Sequence, residues 1–269
     1  MMKLRDWIDI TNLDFNVLSK NPNAIKLLRD NSNKIDWINL SLNPNAIELL
    51  KENLDKIDWK YLSYNPNAIE LLRDNPDKID WDNLSANCNA IEILKDNPEK
   101  INWNRLSSNP NAIELLKNNI NKINWNSLSV NINSIKLLKA NPTNFNWNIL
   151  SSNPNAIKLL KNNFDKINWN YLSINPNAIN LLKENQHKIN WFLLSYNTNA
   201  IELIKENQDK INWYSLSYNP SIFTYDYELI KNKNYDLNEE IIAKALHPKR
   251  IFRLIEEYGE ETIYNIYFD

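Results

Sequence analysis

Trp37, Trp59, Trp81, Trp103, Trp125, Trp147, Trp169, Trp191 and Trp213 follow one another at intervals of 22 residues, and Phe15 holds the same place one interval earlier. Nine such intervals pass without an insertion or deletion. A spacing this strict is a tandem repeat, and repeats of this length bury their core between neighbouring copies rather than inside one globule. The 269 residues therefore read as one array of about ten copies with diverged ends.

One copy, taken from Trp59, contains two helix signals. Asp58 precedes it, and that place holds only Asp or Asn in every copy, as an N-cap requires. Trp59 to Tyr64 then reads as a short helix with Trp59 and Leu62 on its buried side. Asn65-Pro66 starts a second helix expected to reach about Asp74, with Ala68, Ile69, Leu71 and Leu72 on one face. The sequence holds a single glycine, so Asn75 is expected to end that helix in a left-handed conformation. A leucine-rich-repeat horseshoe would need alternating apolar residues beside Trp; Lys60, Asp82, Asn104 and Asn126 break that alternation. The expected fold is thus all-α, an α-solenoid of two-helix repeats. An N-terminal cap over 1–12, repeats over 13–220 and a helical C-terminal cap over 221–269 would form one elongated rod or shallow superhelix, about 90 Å long for ten copies.

Each position of the repeat becomes a ladder along the array. The Ser ladder from Ser19 to Ser217 is unbroken, but no His or Asp stands at a fixed offset to activate it, so its hydroxyls are expected to bond a carbonyl one turn back. Asn ladders beginning at Asn43, Asn45 and Asn53 are expected to pair loose backbone groups within and between copies. Both ladders read as scaffold.

The chemistry this composition supports is limited. A formal charge of −2 gives no overall attraction to nucleic acid or an anionic membrane. Cys88 is the only cysteine, and His187 and His247 have no ligand-spaced companions, so a thiolate zinc site is excluded and no metal or other cofactor is expected. No uninterrupted apolar run suggests a signal peptide or membrane span, and an intracellular, non-secreted, monomeric protein is expected. No catalytic constellation emerges, so the expectation is a non-enzymatic binding scaffold.

Two features suggest binding surfaces. The place after Trp and the one four residues later become aromatic near the end of the array, giving Phe192, Tyr196, Tyr214 and Tyr218 on one strip, either a candidate docking surface for a protein or the surface that the C-terminal cap folds back to cover. Between Leu115 and Phe164 there are six lysines and no Asp or Glu: Lys117, Lys122, Lys136, Lys139, Lys158 and Lys161. These are the alternative candidates, for an anion or nucleic acid.

The phrase INWxxLSxNPNAIxLLKxN and the ending ALHPKRIFRLIEEYGEETIYNIYFD resemble uncharacterised tandem-repeat proteins of mimivirus-like giant DNA viruses, from about Leu4 to Asp269. The resemblance implies a viral protein acting in the cytoplasm of an infected cell. It brings no catalytic residues with it.

Overall fold

The computed structural model describes residues 2–144, 146–231, 246–260 and 262–263. They are essentially all-helical, apart from a two-stranded sheet of β1 (Met2–Leu4) and β2 (Phe223–Tyr225). The chain divides into two compact units, Leu4–Phe223 and a second composed of Met1–Lys3 with Thr224–Asp269.

The expected caps are in place within the repeat unit. Asp58 accepts the Tyr61 N–H at 3.0 Å and opens the first helix, Trp59–Leu62. Asn65 accepts the Asn67 N–H at 3.0 Å and opens a 3-10 turn, Pro66–Ala68, which passes into the second helix, Ile69–Arg73. Asn75 departs from expectation: no non-glycine residue among those described has a positive φ, and Asn75 lies at φ −134°, ψ 62°. Its side chain ends the helix instead, donating Nδ2 to the Leu71 carbonyl at 2.9 Å. The chain then enters another 3-10 turn, Pro76–Lys78, so no left-handed reversal is needed.

Leu62, Ala68 and Leu72 have no exposed surface, nor do their counterparts in most copies, and they form a core continuous from one copy to the next. Full burial of each Leu contributes roughly 1.5–3 kcal/mol. The Ser and Asn ladders lock the copies together. Ser63 Oγ donates to the Trp59 carbonyl at 2.8 Å, as expected, and also accepts the Asp80 N–H of the next copy at 3.0 Å. Asn65 Nδ2 donates backwards to the carbonyls of Ser41 and Asn43 at 3.0 and 2.8 Å, while Asn67 Nδ2 reaches the Pro44 carbonyl at 2.9 Å. Buried amides are thus fully used where backbone groups would otherwise be unpaired.

The same three links join the two ends of the array. Asn21, in the first copy, donates Nδ2 to the carbonyls of Ser217 and Asn219 at 3.0 and 3.1 Å. The Asp14 N–H donates to Ser217 Oγ at 2.9 Å, and Asn23 Nδ2 to the Pro220 carbonyl at 3.0 Å. The first helix of copy one, Phe15–Leu18, packs on that of copy ten, Trp213–Tyr218. The array is therefore a closed ring of ten copies, not the open rod that the sequence suggests.

Both ends of the chain build the tenth copy. Its first helix and Pro220–Ile222 turn come from the C-terminal side, whereas its last 3-10 turn, Ile10–Asn12, capped by Asp9, comes from the N-terminal side. Leu13 follows, buried in the place that Ile79 takes elsewhere. Arg5 fastens the junction: its N–H donates to the Ile222 carbonyl at 2.9 Å, its Nε to the Ser221 carbonyl at 2.8 Å, and its guanidinium lies 3.5 Å from Glu202. Residues 4–12, expected to cover the first copy, thus do so by supplying the last turn of the tenth.

Several first helices of neighbouring copies, such as Trp81–Ala86 and Trp103–Leu106, pack on each other more extensively than any pair of second helices does. In a closed ring the closer-packed layer has the smaller radius, so the first helices form the inner wall. Ten helices about 8 Å apart describe a circle roughly 25 Å across between axes.

In the second unit the helix Pro248–Tyr258 starts at His247, whose Nδ1 accepts the Lys249 N–H at 3.3 Å, and ends at Gly259 with φ 87°. In the helical cap expected from 221 onwards, residues 221–225 instead complete the turn and β2, and helix begins at Tyr227. The rest of the expected helical cap, nearly all of LNEEIIAKAL and most of the closing EETIYNIYFD, lies outside the described residues.

Candidate functional site

The four aromatics of the strip meet on the inner wall. Phe192 and Tyr196, one helical turn apart, make an edge-to-face contact with ring centroids 5.7 Å apart, and Tyr196 makes another with Tyr218 of the next copy, also at 5.7 Å. Such contacts favour a fixed arrangement of rings. Tyr214 is 53% exposed and Phe192 47%, whereas Tyr196 and Tyr218 are half-buried.

Ring closure adds residues from the opposite end of the chain. Tyr196, Tyr214 and Tyr218 line a hollow of about 260 Å³ together with Val17 and Lys20 of copy one and Asn39 of copy two. Lys20 Nζ stands 4.9 Å from the centroid of the Tyr218 ring, a cation-π contact across the junction. Burial holds the Lys20 ammonium below the usual lysine pKa. Burial also raises the Tyr218 hydroxyl, assisted by Tyr64 and Tyr196. Tyr64 belongs to the third copy, so its influence on Tyr218 in the tenth places both on a shared inner surface.

Lys20, Val17 and Asn39 were not legible as site residues, because nothing in the strip points to copy one until the tenth copy is known to neighbour the first. The hollow has room for one large side chain, with an apolar wall, tyrosine hydroxyls and one ammonium.

The six candidate lysines do not form a single patch. Lys122 Nζ lies 4.4 Å from the Trp103 ring centroid, and the same stacking recurs through Lys34, Lys56, Lys78, Lys100, Lys166, Lys188 and Lys210. This column covers aromatic rings. Lys117 pairs with Glu114 at 2.8 Å, as Lys51 does with Glu48 and Lys95 with Glu92. Lys136, Lys139, Lys158 and Lys161 differ: they are exposed on the adjacent second helices Ile135–Lys139 and Ile157–Lys161, and the place of the pairing Glu is itself lysine in both.

No family model, curated protein or solved structure matches the chain. Among the described residues no group of His, Cys, Asp and Glu is arranged to hold a metal ion, and no helix is long and apolar enough to cross a membrane. His187 is exposed in the turn Gln186–Lys188, and His247 serves as a helix cap.

Proposed function

We propose that the protein is a non-enzymatic scaffold whose ring binds a protein partner at the junction between the tenth and first copies. The observation that carries this reading is the convergence of Tyr196, Tyr214 and Tyr218 with Lys20 around one hollow, with Phe192 packed against Tyr196 beside it. Exposed aromatics that are already ordered lose little side-chain entropy on binding, and they are the residue type that dominates binding energy at interfaces. An apolar side chain of the partner enters the hollow, and an acceptor beside it meets the Lys20 ammonium. A closed array presents no open repeat to another copy, and the scaffold works as a monomer. In keeping with the sequence resemblance, its setting is the cytoplasm of a virus-infected cell.

A second reading rests on the lysine quartet. Repeats six and seven replace the Glu of the exposed Glu-Lys pair by Lys136 and Lys158, leaving four ammonium groups on neighbouring helices. A polyanion held there would be displaced by salt.

Affinity capture on the tagged full chain, with and without nuclease and at two salt concentrations, separates the two. The protein-scaffold reading expects a defined partner that survives nuclease and salt and is lost from the Phe192→Ala/Tyr214→Ala variant, in which both altered residues are exposed and folding is undisturbed. Capture unchanged in that variant contradicts it. Capture that vanishes with nuclease or modest salt, and in Lys136→Glu/Lys158→Glu, favours the polyanion.

A further inference from the structure

The repeats serve as internal controls for one another, and one aromatic site differs from its counterparts. Phe15 and seven of the tryptophans each lie beneath a lysine from the 3-10 turn that follows, at 4.3 to 4.8 Å from the ring centroid. Trp125 has no such cover, because Asn144 stands where the lysine would be and Thr143 precedes it. A shallow, open depression of about 460 Å³ lies there between Trp125 and Trp147.

Among the described residues the lining carries no charged side chain: it comprises the two indoles, Thr143, Asn144 and the amides of Asn126, Asn146 and Asn148. Part of the amide set is committed to the scaffold, since Asn146 Nδ2 donates to Asn126 Oδ1 at 2.8 Å and Asn168 Nδ2 to Asn148 Oδ1 at 3.2 Å. The Nδ2 groups of Asn126 and Asn148, the Thr143 hydroxyl and both ends of the Asn144 amide keep their hydrogen-bonding capacity. Trp213 also lacks a lysine, but the Thr11 hydroxyl of its turn is engaged with Asp9 at 2.7 Å.

We propose that the Trp125–Trp147 cleft binds carbohydrate, taking a neutral pyranose unit of an oligosaccharide. A sugar ring has a face of C–H bonds that packs on an indole, and a rim of hydroxyls that both donate and accept. Side-chain amides and a threonine hydroxyl match that rim without charge. The lysine found in the other copies would occupy the same indole face, so its replacement by Asn144 opens the site. The cleft shares no residue with the protein-docking surface.

Calorimetry and tryptophan fluorescence of the full chain with maltotriose, cellotriose and triacetylchitotriose test the assignment. The expected result is saturable binding of at least one trisaccharide, weakened at least about tenfold, or about 1.4 kcal/mol, in Asn144→Lys. That variant installs the side chain eight other copies carry and folds as they do; Lys100→Asn, altered at a different copy, retains the Trp125 site and serves as the control. Absence of saturable binding to all three sugars, or equal affinity in Asn144→Lys, overturns the proposal.

Discussion

Replacement of Asn65 by alanine is expected to destabilise the ring by about 3–5 kcal/mol, well beyond the roughly 1 kcal/mol of an ordinary helix cap. Asn65 is fully buried and makes three hydrogen bonds: Nδ2 to the Ser41 and Asn43 carbonyls, and Oδ1 to the Asn67 N–H. Alanine removes all three and leaves buried backbone groups without partners, where water cannot replace the lost amide. Asn67 makes a single inter-copy bond from an exposed position, so Asn67→Ala should cost about 1 kcal/mol or less. Urea denaturation followed by circular dichroism separates the two. Similar small losses at both positions would show that the buried ladder is not what joins the copies.

The second large effect is expected at Asn21. In an open solenoid the first copy has no predecessor, and Asn21→Ala would remove only a cap. In the ring its Nδ2 bonds Ser217 and Asn219, more than 190 residues away, in the same geometry that Asn65 uses towards Ser41 and Asn43. Asn21→Ala is therefore expected to cost the same, about 3–5 kcal/mol, and to shift the urea midpoint as Asn65→Ala does. A loss of about 1 kcal/mol would mean that the junction contributes nothing to stability.

Much of one copy was legible because its determinants are local. Asp or Asn before Trp, Asn before Pro, and a small hydroxyl one turn after Trp each satisfy a backbone group within reach, and they do so in the structure as the residue types imply. The conformation of Asn75 was misread for a local reason too: its side chain bonds the Leu71 carbonyl and makes a left-handed turn unnecessary. Closure was not legible. It requires about 36° of rotation per copy, ten copies to a turn, and that angle arises from the difference in spacing between first and second helices rather than from any one residue type.

The binding surfaces divide in the same way. The aromatic strip was visible as a departure from the repeat, but Lys20 joins it only through closure. The lysine run was visible as an absence of acid. Stacking on Trp103 and pairing with Glu114 then withdraw Lys122 and Lys117 from it. The uncovered Trp125 required both views, since the substitution at Asn144 is plain in the sequence while the function of the lysine it replaces is seen only in the other copies.

The most direct test of closure is the distance between spin labels placed at Asp30 and Glu206 in a Cys88→Ser background, measured by pulsed dipolar spectroscopy. Both positions are exposed and occupy the same place in copies one and nine. In a ring they are two copies apart across the junction, and a distance of roughly 20–30 Å is expected for helices spaced about 10 Å apart. A distribution centred near 80 Å, the span of eight steps along an open array at about the same spacing, would contradict the ring.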